Sequence, residues 1–240
     1  MRKARTKTLL VELREVLREN GSFFYPFAVL MLIAGGLLAF IHTGDAILFF
    51  SDHRSYWGDL FFRYATYLGE GGLFVPATLA VLLVRHRYAL VMPLLAASVS
   101  LVTQSAKMLF AHPRPYTFFR DSNMLSSVIP VEGVHMHSGW NSFPSGHSTA
   151  AFALYAFLAL CLPRKAWSGF FLLILAVLAG LSRIYLVQHF LEDVFMGAAL
   201  GAVLALFWYL LSFRIWRGLH SRLDGSLFSH KFKKKMTMEN

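Results

Sequence analysis

An all-α, six-span transmembrane helical bundle with a short N-terminal interfacial helix is the fold class this sequence predicts, and three observations predict it. The 240 residues are 56% hydrophobic and only 15% charged, and the apolar residues gather in long runs instead of the periodic faces of a soluble helix. Six runs occur, near residues 23–42, 68–84, 88–110, 148–162, 167–186 and 193–213, against the about 17–25 apolar residues a helix needs to cross a hydrocarbon core. The basic residues follow the parity of those spans. With a cytoplasmic N-terminus, residues 1–22, the turn at 85–87, the turn at 163–166 and the chain after 213 lie inside and hold 17 of the 23 Lys and Arg, as the positive-inside rule requires.

The elements justify themselves in order. Residues 1–22 form a cytoplasmic amphipathic segment: Leu9, Leu10, Leu13, Val16 and Leu17 recur at helical spacing among Glu12, Arg14, Glu15 and Arg18, the pattern of a helix lying on the membrane surface. The first span, from Phe23 to Ile41, exceeds the about 7–15 residues of a signal-peptide apolar region and reads as retained. Residues 43–67 are crowded with Phe, Tyr and Trp, which suits an interfacial belt packing on the bundle. The loop 111–144 holds Pro113, Pro115, Pro130, Gly133 and Gly139; a loop above about 15 residues is often functional. The fourth span is short, but it gains length if it begins at Ser145 and is closed by Pro163-Arg164-Lys165.

Residues 23–213 therefore read as one six-span unit and 214–240 as a basic cytoplasmic tail. That tail carries Lys-Phe-Lys-Lys-Lys at 231–235, suited to anionic lipid headgroups. The net charge of +10 is explained by membrane topology, and no base-reading module accompanies it, so nucleic acid is not a partner. The single cysteine, Cys161, lies within a span and permits no intramolecular disulfide.

Ionisable groups at the ends of apolar spans are functional candidates because burying them is expensive. Three clusters qualify: KMLFAHPRP at 107–115, PSGH at 144–147 and SRIYLVQHFLED at 182–193. Span parity brings all three to the outer face. Lys107, Arg114 and Arg183 supply permanent positive charge, and guanidinium donors match phosphate oxygens. Ser145, Gly146 and His147 open a helix whose free N–H groups and dipole favour an anion, with Gly146 permitting close approach. His189 and Asp193 stand one helical turn apart, so the carboxylate can hold one ring nitrogen and leave the other as a lone-pair nucleophile. His147 is then the acid that protonates the departing oxygen and the base that activates water. The cations stabilise the transferring phosphoryl group in the role a metal would otherwise take, and neither a metal nor a cofactor is expected.

The spacing Lys107-x6-Arg114-Pro115, Pro144-Ser145-Gly146-His147 and Ser182-Arg183-x5-His189-x3-Asp193 resembles the three-part signature of the phosphatidic acid phosphatase type 2 superfamily, in its integral-membrane lipid phosphatase branch. The resemblance implies metal-independent hydrolysis of a lipid phosphomonoester or diphosphate, with His189, His147 and Asp193 catalytic and Lys107, Arg114, Ser145, Gly146 and Arg183 binding phosphate. It adds Ser182, whose hydroxyl contacts phosphate or caps local backbone. With the charge bias and span parity above, the expectation is a multi-pass protein of the inner membrane with both termini cytoplasmic and the site facing outward.

A transporter of anionic lipid would share the cations but has no use for a His189–Asp193 relay facing His147. A vanadate-dependent haloperoxidase would share the oxyanion pocket. Undecaprenyl diphosphate is the expected substrate, with a lipid A phosphate or phosphatidylglycerol phosphate as alternatives, and Arg120, His135 and His137 are candidates for the distal phosphate. His112 reads as a loop residue outside the motif, and Trp140 and Asn141 as shaping the path of the lipid.

Overall fold

A computed structural model describes residues 8–162 and 166–215. Residues 163–165 of the expected turn at 163–166, the first basic residues and the 231–235 cluster lie outside the described residues. Among those described, ten α-helices and short 3-10 turns account for the regular structure, and no strand occurs.

Helix α1 (Leu9–Glu19) has no buried residue; its partly buried Val16 and Leu17 pack on the bundle, as an amphipathic surface helix should. Helix α2 (Gly21–Phe40) is 20 residues, about 30 Å at 1.5 Å per residue. Phe23 and Phe24 enter the core, while further along Leu32 and Phe40 face outward, where lipid is the compatible solvent. The expected aromatic belt is built from helices α3 (Asp45–Asp52) and α4 (Tyr56–Ala65). Phe62 of α4 stacks on Tyr185 with ring centroids 4.3 Å apart, while Trp57, Phe61 and Tyr64 stay exposed.

The second expected span is broken. Helix α5 (Phe74–Val84) has 11 residues, too few to cross, and it becomes long enough only when joined to Tyr56–Gly69 across a 54° bend. Gly69-Glu70-Gly71-Gly72 explains the bend, since glycine costs a helix about 1 kcal/mol relative to alanine. Among the described residues four helices are long and apolar enough to span, or five counting the bent pair: α2, α6 (His86–Phe110), α9 (Ala166–Tyr185) and α10 (Leu191–Ile215) are the four. Helix α7 (Pro115–Asp121) follows α6 in the 111–144 loop.

Helix α8 (Gly146–Cys161) has 16 residues, about 24 Å, and is buried along nearly its whole length. It packs among α5, α6, α9 and α10, so protein and not lipid sets its environment. The tightest neighbour is α10. A Cβ added at Gly197 would lie 2.8 Å from the Ser145 carbonyl oxygen, and one at Gly201 would lie 2.5 Å from that of Thr149. This Gly-x3-Gly spacing lets two backbones touch, the usual device for packing helices in membranes.

The 111–144 loop is ordered by its own bonds. Arg114 N–H donates to the Gly139 carbonyl at 2.8 Å and Ser142 N–H to that of His112 at 3.0 Å, so residues 112–114 run beside 139–142. Phe119 and Val128 then join Ile47, Ile184, Val187, Phe190 and Val194 in a small apolar cluster.

Candidate active site

Asp193 sits in the first turn of α10 with no solvent exposure. Its Oδ2 accepts from Ser142 Oγ at 2.5 Å, from the Phe190 N–H at 3.0 Å and faces His189 Nδ1 at 3.2 Å. Ser142 Oγ is also 3.3 Å from His189 Nδ1. The expected His189–Asp193 pair is therefore formed, although His189 precedes α10. What positions the imidazole is the end of α9: the N–H groups of Gln188 and His189 both donate to the Arg183 carbonyl, at 2.9 and 3.1 Å. That turn places Val187 at φ 57, a conformation a β-branched residue rarely takes. Its side chain is held in the apolar cluster with Ile47 and Phe119. Burial, outweighing the Asp193 hydrogen bond, depresses the His189 pKa to about 4, so the ring is neutral at neutral pH and keeps a lone pair.

Ser145 caps α8, its Oγ accepting from the Ser148 N–H at 3.3 Å, and its own N–H donates to the Asp193 carbonyl at 3.0 Å. A Cβ built on Gly146 would meet no atom within 4 Å, so open space lies against the first turn of α8. His147 lies within electrostatic reach of Arg183, His189, Lys107 and Arg114. Lys107 in turn senses Arg114, Asp193 and Arg183. The three motif segments converge as the sequence predicts.

The cations are held by partners that sequence reasoning did not find. Arg114 Nε donates to Asn141 Oδ1 at 2.8 Å and its Nη1 to the Gln188 carbonyl at 3.4 Å. Asn141 thus orients a guanidinium, a role different from the expected one in the path of the lipid; Trp140 is exposed. Arg183 Nη1 donates to Thr66 Oγ1 at 2.5 Å, while its Nε is buried with no hydrogen-bond partner among the described residues. A buried unpaired guanidinium N–H is a donor awaiting an acceptor.

Ser182 takes the backbone role, its Oγ donating to the Ala179 carbonyl at 2.6 Å. Arg120 does not face the site: it is exposed and paired with Asp121 at 2.8 Å. His135 and His137 lie with ring centroids 5.7 Å apart, and the Gln188 amide donates to the His135 carbonyl at 2.9 Å. Burial first, then the Arg114 charge, lowers the His137 pKa below the usual histidine value. Among the described residues no group of three or more His, Cys, Asp or Glu is arranged to hold a metal ion. Ser142, Thr66 and Gln188 had no sequence signal beyond their neighbours, since each acts across a fold-level contact.

The PAP2 superfamily profile matches residues 88–217, a stretch that contains every motif residue above. The chain belongs to the PAP2 superfamily. Among solved PAP2 structures, Aquifex aeolicus LpxE is 27% identical, with a TM-score of 0.59 over 70% of this chain and 95% of that one. A transmembrane PAP2-type phosphatidylglycerolphosphate phosphatase from Bacillus subtilis is 26% identical, with a TM-score of 0.53 over 82% of this chain and 96% of that one. A protein of Escherichia coli provisionally described as undecaprenyl-diphosphatase YbjG is 33% identical over 53% of this chain and 61% of its own length. The first curated relatives are matched over 39%, 32% and 61% of their own length, less than two thirds in each case. Its apolar helices and transmembrane PAP2 neighbours make this an integral membrane protein.

Proposed function

We propose that this PAP2 protein is a membrane lipid phosphatase working through a phosphohistidine intermediate. The observation that carries the reading is the buried His189–Asp193 pair, 3.2 Å apart, coupled to a cluster of Lys107, Arg114 and Arg183. A phosphate group seated against the first turn of α8 meets backbone N–H groups, the unpaired Arg183 Nε and the Arg114 donors that Asn141 and Gln188 leave free. The free ring nitrogen of His189 attacks phosphorus and a P–N bond forms as the P–O bond to the lipid breaks. His147 gives its proton to the departing oxygen. Water then attacks the phosphohistidine and loses a proton to His147, and inorganic phosphate leaves with His189 restored. Asp193 holds the imidazole and balances its positive charge while phosphorylated. The cations supply the charge stabilisation that a divalent ion would provide elsewhere.

The substrate is a lipid phosphate that stays in the membrane while its headgroup reaches the site, which faces outward from an inner membrane with both termini cytoplasmic. Undecaprenyl diphosphate is the favoured lipid. The relative in Escherichia coli supports it, as does His137, which lies within electrostatic reach of Arg114 and Arg183 and can meet a second phosphate. The lipid tail lies outside the bundle, and the basic termini rest on anionic headgroups.

The test is phosphate release by purified protein from undecaprenyl diphosphate, lipid A, phosphatidylglycerol phosphate and phosphatidic acid in one detergent, with and without EDTA. Hydrolysis should survive EDTA, and kcat/KM should be highest for undecaprenyl diphosphate. No hydrolysis of any of the four would remove the phosphatase reading, and at least a tenfold preference for another lipid, about 1.4 kcal/mol, would replace the substrate.

A further inference from the structure

Asp193 has two carboxylate oxygens, and the three contacts that orient it all reach Oδ2. Oδ1 is buried and receives no hydrogen bond among the described residues. The Nδ1 of His112 lies 3.9 Å from that oxygen, and it too is buried without a partner. A buried acceptor and a buried donor, each unsatisfied and facing one another, are an unusual pair, because nearly all such groups are bonded.

The surroundings of His112 hold it there. Its ring stands edge-on to Phe190 at 5.8 Å and beside Phe143 at 6.4 Å. Its carbonyl accepts from Ser142 N–H at 3.0 Å, and Ser142 Oγ is the closest donor to Asp193. His112 is therefore tethered to Asp193 through Ser142. A closure of about 1 Å brings the nitrogen to ordinary hydrogen-bond distance, and catalytic hydrogen bonds commonly tighten when substrate binds.

We infer that His112 is a positioning residue that donates Nδ1–H to Asp193 Oδ1 during turnover and fixes the carboxylate plane, so that Oδ2 stays on His189 Nδ1. The inference rests on the proposed role of His189 as nucleophile. It concerns a residue between Lys107 and Arg114 that the three-part motif does not specify. The phosphate itself is held by the cations and by α8, so His112 acts on the chemical step and not on binding.

The experiment uses the full chain in detergent and whichever of the four lipids the parent hydrolyses fastest, comparing His112→Leu, His112→Asn, His112→Gln and His189→Ala. An asparagine amide can place its N–H where histidine has Nδ1–H, whereas glutamine carries it one methylene farther. His112→Leu and His112→Gln should lose about tenfold in kcat, the size of one hydrogen bond to a charged group, with KM unchanged. His112→Asn should recover most of the parent rate. Should the leucine variant not fold, the asparagine–glutamine contrast carries the same test. Histidine-112 variants all within twofold of the parent, beside an inactive His189→Ala, would overturn this inference and leave the phosphatase reading standing. An active His189→Ala would remove the nucleophile and this inference with it.

Discussion

The backbone N–H of Ser145 donates to the carbonyl of Asp193 at 3.0 Å, and that bond fastens α8, which bears the proposed phosphate seat, to α10, which bears the carboxylate. Four residues farther along α10, Gly197 lies against the Ser145 carbonyl. The two helices are thus joined at the site by a hydrogen bond and by backbone contact. Ser145 and Asp193, the proposed phosphate seat and nucleophile support, cannot separate without opening the glycine seam.

Gly201 tests the seam. A Cβ there would lie 2.5 Å from the Thr149 carbonyl oxygen and 2.7 Å from the Ala153 nitrogen, both backbone atoms that cannot rotate away. Gly201→Leu should destabilise the bundle by at least the about 1–3 kcal/mol typical of overpacking, seen as a lower melting midpoint in detergent. An unchanged midpoint would mean that α8 and α10 do not pack this closely.

Asn141 should matter through Arg114. Removing the 2.8 Å bond to Nε frees the guanidinium to rotate, so Asn141→Ala should cost about tenfold in kcat/KM, in line with a hydrogen bond to a charged group. Asn141→Asp keeps an acceptor and should lose less than the alanine variant. Equal kinetics for the parent and the alanine variant would assign Arg114 another support.

The legible part of this site was the part written in local spacing. Lys107, Arg114, His147, His189 and Asp193 stand at fixed offsets beside apolar runs, so span parity alone brings them to one face. Thr66 is 117 positions from Arg183 and Ser142 is 51 from Asp193; only the packed bundle makes them neighbours. The bend at Gly69–Gly72 was blurred for the opposite reason. Residues on both sides are apolar, and hydropathy does not register a change in helix direction. The motif does not specify His112, and the fold of the 111–144 loop is what turns it toward Asp193.

The proposed topology places the loop after α7 outside. Ser122 is exposed at its tip with an ordinary φ of -86, unlike Asn123 at φ 56, and so accepts substitution without strain. Ser122→Cys should react with a membrane-impermeant maleimide in intact cells whose outer membrane, if present, has been permeabilised. Buried Cys161 should not react. Labelling only after lysis of the inner membrane would invert the topology.

His147 and His189 should fail in different ways. Without His147 the leaving oxygen has no proton donor, but a good leaving group needs none. His147→Ala given a radiolabelled aryl phosphate should therefore accumulate a base-stable, acid-labile phosphoenzyme by rapid quench, which the His189→Ala variant should not form. A phosphoenzyme of equal yield in both would place the covalent bond elsewhere.

The pH profile follows from the burial of His189. Burial lowers its pKa to about 4 from the about 6.5 of a solvated histidine, so the nucleophile remains neutral as pH falls through the ordinary histidine range. The acidic limb of kcat/KM, which reports the free enzyme, should have its midpoint near 4 and fall as the ring protonates below it. The stability linkage has the same sign. Between about pH 6.5 and 4 the unfolded chain binds a proton that the folded one does not, so His189 lowers stability progressively as the medium is acidified through that window. Activity should therefore be measured after brief exposure to each pH and then again at pH 7, to separate reversible titration from unfolding. A reversible acidic midpoint near 6.5 that does not move with the phosphate pKa of the substrate would show that His189 titrates like a solvated histidine and that the buried pair does not set the acid limb.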